Sequence, residues 1–168
     1  MNDKVLLAYA SRYGSTAGIA EKIADVLRAA GHEVDLRPVG QVGGLDSYSA
    51  VILGSAVYYG SWRKEAEKFL ISQSEALQGK KVWFFSSGPA GEGDPVELLE
   101  GWTFPSNLQE TADKIQPRGT AVFHGVMDEK KMNFLERFIL KRMGAPLGDF
   151  RDWGQITNWA EEIVQELN

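Results

Sequence analysis

A parallel α/β sheet, doubly wound with helices on both faces into three layers, is the fold class this sequence predicts. Three observations carry it. Apolar runs of strand length alternate with helical periods from the N-terminus onward. The first run, Val5-Leu6-Leu7-Ala8, has no polar side chain, as expected of a strand covered on both faces. The first, third and fourth runs each pass into a loop rich in serine, glycine and aromatic residues.

In chain order, the first strand spans roughly Lys4 to Ala10 and turns through Ser11-Arg12-Tyr13-Gly14-Ser15-Thr16 into a helix beginning near Ala17. That helix sets Ile19, Ile23, Val26, Leu27 and Ala30 inward and stops at Gly31. His32 to Pro38 reads as an edge strand, with Val34 and Leu36 on one face and a closing proline. A Gly-rich connection with a turn of helix near Leu45 to Tyr48 leads to a third strand, Ala50 to Ala56. A second loop, Ser55 to Ser61, follows it.

Trp62 to Leu77 has helical spacing, with Ala66, Phe69, Leu70 and Leu77 inward and Gly79 as the stop. The fourth strand, Lys81 to Ser87, ends in Ser87-Gly88-Pro89-Ala90-Gly91-Glu92-Gly93. Leu98, Leu99, Trp102 and Phe104 are local anchors in a less regular stretch, before a short helix at Leu108 to Ile115 and a fifth strand at Thr120 to Val126. Met132 to Met143 reads as an amphipathic helix. Asp152 caps a last helix docked by Trp153, Ile156, Trp159, Ala160, Ile163, Val164 and Leu167.

Composition narrows the function. The chain's 168 residues suit one domain spanning 1–168, and 43% hydrophobic residues are ample for a core. Absent cysteine removes disulfides, thiolate metal sites and a cysteine nucleophile. The net charge of −5 argues against a nucleic-acid partner, and the two histidines, His32 and His124, stand too far apart in sequence to suggest a metal cluster. Met1-Asn2-Asp3-Lys4 runs straight into a strand, leaving no room for a signal peptide, so the expected location is cytoplasmic.

In open α/β sheets ligands lie beyond the carboxyl ends of the strands. The first loop offers hydroxyls from Ser11, Ser15 and Thr16 together with the free amides of a helix N-terminus, a combination suited to a phosphate. It matches neither the three spaced glycines of dinucleotide sites nor the Gly-Lys-Ser/Thr loop of nucleoside triphosphate sites. The second loop, Ser55-Ala56-Val57-Tyr58-Tyr59-Gly60, offers Tyr58 or Tyr59 for stacking, and the third, Ser87-Gly88-Pro89-Ala90-Gly91, offers backbone along a ring. A ligand with a phosphate at one end and a flat body at the other fits all three, and flavin mononucleotide (FMN) has that form. Arg12 and Tyr13 belong to the same candidate set, Arg12 as a phosphate contact or as a solvated cation.

On these residues the chain resembles the flavodoxin-like family. The likeness lies in the phosphate loop (Ser11, Gly14, Ser15, Thr16) and in the aromatic-bearing loop after the third strand. Within the family it is similar to the menaquinone-dependent protoporphyrinogen oxidase branch in Val51 to Phe69, in Phe134 to Lys141 and in the Asp152-Trp153-x-x-Ile156-x-x-Trp159-Ala160 ending. The resemblance implies five parallel strands in the order 2-1-3-4-5, noncovalent FMN, and electron transfer by the flavin with no protein acid or base. It implies a redox partner protein or a quinone as the other reactant. One departure is the acidic Gly91 to Gly101 stretch, which suits a basic partner better than an anionic porphyrin.

Other readings are weaker on residues alone. A receiver-type signalling domain lacks its acidic residues at Ala10 and Ser55, and a serine hydrolase lacks a Gly-x-Ser-x-Gly elbow. A flavin-free scaffold on the same sheet stays open. The Met132 to Met143 segment has two readings: a helix packed over the loop, or a peripheral membrane contact at the inner face.

Overall fold

A computed structural model describes residues 4–168; Met1, Asn2 and Asp3, used above for the N-terminal reading, lie outside the described residues. The chain opens with strand β1 (Val5–Ala10), helix α1 (Ser15–Ala29), strand β2 (Val34–Pro38) and strand β3 (Ala50–Tyr58). A two-residue strand β4 (Ser61–Trp62) precedes helices α2 (Lys64–Ser72) and α3 (Ser74–Leu77). Strand β5 (Lys81–Ser87), helices α4 (Pro95–Leu98) and α5 (Gln109–Ile115) and strand β6 (Gly119–Phe123) complete the main sheet. Strand β7 (Val126–Met127), helix α6 (Phe134–Met143), strand β8 (Gly148–Asp149) and helix α7 (Trp153–Leu167) finish the chain.

The five long strands pair in parallel in the order β2-β1-β3-β5-β6, the expected 2-1-3-4-5. Ala10 pairs with Ser55 and Ala56 with Ser87, so β1, β3 and β5 end nearly level and their loops open on one edge. Alternation along β5 fills both sides of the sheet. Val82 and Phe84 join Leu6, Leu53, Trp62 and Leu70 in one core, while Trp83 and Phe85 join Val5, Leu7, Ile19 and Ile23 in the other. The first core holds the aromatic set Trp62, Phe84 and Phe104; the second holds Phe85, Phe123 and Trp159.

Several expectations need correction. Trp62 is not helical: β3 runs on to Tyr58 and folds back through Tyr59-Gly60 so that Val57 pairs with Trp62. The turn takes φ of 52° at Tyr59 and 76° at Gly60, the two positive values a tight hairpin demands. The single helix expected to Leu77 breaks at Gln73. Leu45 to Tyr48 is a turn, with the helical turn falling earlier at Val39–Gln41. The fifth strand stops at Phe123 because Gly125 and His124 bond to the neighbouring loop instead. In α1, Thr16, Ala20 and Ala24 are buried and Ala30 is exposed, a modest rotation of the stripe. Leu98 and Trp153 are exposed; Trp153 lies beneath the Arg151 guanidinium beside Gly18 of α1 and is not part of the core that docks the last helix on the sheet.

Candidate functional site at the carboxyl edge of the sheet

The first loop is shaped by Gly14, whose φ of +91° caps α1 without any side chain. The amides of Ser15, Thr16 and Ala17 therefore leave the helix end with no intrahelical acceptor, and the first turn carries no acidic residue. That end of the helix is electropositive and open to an anion. The hydroxyl of Ser11 is turned inward, accepting from the Gly14 amide at 3.0 Å.

Cations gather around this loop from the far end of the chain. Lys131 donates from Nζ to the Tyr13 carbonyl at 3.1 Å. Arg151 donates to the Ser15 carbonyl at 3.3 Å while both Asp149 carboxylate oxygens hold its guanidinium, which stacks 4.6 Å from the Trp153 ring. Gly18, in the first turns of α1, leaves the space: a Cβ there would lie 2.5 Å from Arg151 Nη1. A cavity of about 90 Å³ opens between Tyr13, Gly14, Ser15, Lys131 and Arg151, with Asp128 also on its wall.

Glu136 of α6 is the main counter-charge. It accepts from the Tyr13 hydroxyl at 2.7 Å, pairs with Arg12, and closes a capping box with Asn133. The Tyr13 hydrogen bond, helped by the Asn133 amide and Arg12, holds its carboxyl below the usual carboxylate range. Burial, reinforced by Glu136, raises the Tyr13 phenol.

The second loop is the β3–β4 hairpin. Ser55 and Ala56 are buried beneath it, and the Ser55 hydroxyl is spent on the protein, donating to the Ala56 carbonyl and accepting from the Arg63 amide. Val57 is half-buried, Tyr58 is 38% exposed and Tyr59 is wholly exposed, so the two rings are what the hairpin presents. Burial raises the Tyr58 phenol, opposed by the charges of Arg12 and Arg63.

The third loop joins the first directly. Thr16 and Ser87, both buried, share a hydroxyl–hydroxyl bond of 2.7 Å. Gly88 donates to the Phe123 carbonyl, and a Cβ there would press to 3.2 Å on the Val57 carbonyl. Pro89 and Gly93 offer their carbonyls to the two ring nitrogens of His124 at 3.1 and 2.7 Å. Ala90 and Gly91 are half-buried between these anchors.

A family profile described as flavodoxin domain matches residues 6–152. The chain belongs to the flavodoxin-domain family. Protoporphyrinogen IX dehydrogenase (quinone) of Escherichia coli strain K12 is 22% identical over 172 residues, which span 96% of this chain and 94% of that protein. Oxidised flavodoxin 2 from Bacillus cereus is 25% identical with a TM-score of 0.61, covering 97% of this chain and 99% of its own. A flavodoxin from the domain Archaea superposes with a TM-score of 0.66 at 17% identity, over 98% of each chain.

In this flavodoxin domain, then, the structure brings the loops at 11–16, 55–60 and 87–91 to one edge, with Ser55 and Ala56 under it. Sequence reasoning missed Arg151 and the roles of Lys131 and Glu136, since all three arrive from over a hundred residues away. One signal was present: a glycine inside a helical pattern, Gly18, marks a close approach. No described helix is long and apolar enough to cross a membrane.

Proposed function

We propose that residues 1–168 form one FMN-binding electron-transfer domain. The observation that carries this reading is the N-terminus of α1, free of any side-chain cap and of acidic residues, set level with a hairpin that presents Tyr58 and Tyr59. The phosphate falls to the amides of Ser15, Thr16 and Ala17, with the loop residues Ser11, Arg12, Tyr13 and Gly14 around them and Lys131 and Arg151 supplying charge. Tyr58 or Tyr59 covers one side of the ring, and the Ser87, Gly88, Pro89, Ala90 and Gly91 backbone lines the other. Ser55, Ala56, Val57 and Gly60 hold the hairpin in place. Bound FMN supplies the electron chemistry; the protein binds it, fixes its plane and sets its surroundings.

Tyr59 adds support. The hairpin turn leaves its ring wholly exposed at the carboxyl edge of the sheet, where it is free to stack on a ligand. The test is direct: the purified protein is expected to be yellow and to release FMN at about one equivalent. Colourless protein that takes up no FMN on incubation would overturn the reading.

A second reading concerns the reaction. The end-to-end match to a quinone-linked protoporphyrinogen IX dehydrogenase favours a quinone as electron acceptor. The exposed carboxylates of Glu92, Asp94, Glu97 and Glu100 beside the third loop favour a basic protein partner. Reduction of the loaded protein by protoporphyrinogen, by a ferredoxin and by NAD(P)H, each followed by menaquinone addition, separates the two.

A further inference from the structure

No residue of α6 is buried. Phe134 is 79% exposed, Leu135 64%, Met143 72%, Phe138 50% and Ile139 41%. With about 100° between successive residues, the side that carries Glu136 faces the first loop, and the opposite side centres on Phe138, Phe134 and Leu135. Cations border and interleave that side. Lys141 and Arg137 lie along one edge, Arg142 sits 5.8 Å from the Phe138 ring, and Lys130 stands at the head of the helix. Residues 129–143 thus hold five cations against two carboxylates in a chain of net charge −5; with Glu136 and Lys131 both turned to the first loop, the outer side keeps Lys130, Arg137, Lys141 and Arg142 against Glu129.

We propose that this face docks the protein on an anionic lipid surface. The composition of the face decides among occupants. A second copy meeting it symmetrically would set the cations against one another. An acidic protein would satisfy the charges but needs no protruding Phe and Leu side chains on an otherwise uncovered helix. A lipid boundary takes both, apolar side chains entering the acyl region while lysine and arginine reach the headgroups. Lys131 and Glu136 tie α6 to the first loop, so docking brings the loop edge with it to the bilayer boundary. The consequence, access for a lipid-dissolved electron acceptor, rests on the flavin reading proposed above; the docking itself does not.

Sedimentation of the whole protein with vesicles tests it, using phosphatidylcholine alone and phosphatidylcholine mixed with phosphatidylglycerol. Binding to the mixed vesicles, weakened by salt and absent on the zwitterionic ones, is expected. F134S/F138S and K141E/R142E should each lower the affinity by about tenfold or more, with unchanged circular dichroism because these side chains are exposed. Absence of binding to mixed vesicles overturns the proposal. So does binding that K141E/R142E removes and F134S/F138S leaves intact, the mark of a purely electrostatic face for an acidic protein. Flavin content is read on the same samples: yellow protein that ignores vesicles overturns docking alone, and colourless protein that binds them overturns the flavin reading alone.

Discussion

Thr16 and Ser87 are hydroxyl residues in two different candidate loops, yet each spends its side chain on the other in a buried bond of 2.7 Å. The contribution of these two side chains to a ligand is therefore positional, holding the α1 terminus and its free amides against the end of β5. Removing one partner strands the other, and an unsatisfied buried hydroxyl costs about 1–3 kcal/mol. We expect Ser87→Ala to lower stability by roughly that amount in urea unfolding. Thr16→Val on the same background should recover part of the loss, because both polar atoms are then gone. Equal and additive losses in the two single variants would show that the bond contributes nothing.

Among the elements, α6 is held by its ends and by one carboxylate more than by packing. Asn133 and Glu136 cap the start, Gly144 closes the end with φ of +64°, and Glu136 anchors the inner side to Tyr13 and Arg12. Because the folded carboxyl is depressed, the anchor is complete above the ordinary carboxylate range, about 4.3, and is lost as pH falls through the lower folded value. Hydrogen exchange, corrected for its intrinsic pH dependence, should therefore show α6 losing protection on acidification before α1 and α7 do. Asn133→Ala should produce the same loss at neutral pH, and a helix 6 as protected as α1 throughout would refute this account. The elements differ correspondingly in how far they could be read from sequence. Strands β1, β3 and β5 were plain because burial on both faces writes an unbroken apolar run. The hairpin was hidden because Trp62 fits the helical spacing of Ala66 and Phe69 equally well, and only pairing with Val57 makes it a strand. Arg151 was hidden because its partner Ser15 is remote in sequence and no local pattern encodes that contact.

For the molecule as a whole, the two cores meet through the sheet, and its tightest point is Gly54. A Cβ at this position would lie 2.0 to 2.4 Å from atoms of the Phe85 ring, which itself packs on Phe123 and Trp159. Neither the ring nor the central strand has room to move. Gly54→Ala should thus destabilise the fold by about 3 kcal/mol or more, lowering the midpoint of thermal unfolding for all probes together. A variant with an unchanged midpoint would show that Phe85 can repack.

The short β7–β8 ladder closes on itself: Val126 pairs with Asp149 and Met127 with Gly148, and Phe150 donates to the Gly125 carbonyl just below. Everything between Met127 and Gly148 is accordingly an excursion with a sealed neck, and no strand pairing of the main sheet passes through it. Such a segment is modular. Its length and chemistry are free to vary without disturbing the sheet beneath, and what ties it to the first loop is a few side chains, Lys131 and Glu136 foremost, which leaves its outer face to be shaped by whatever it docks on.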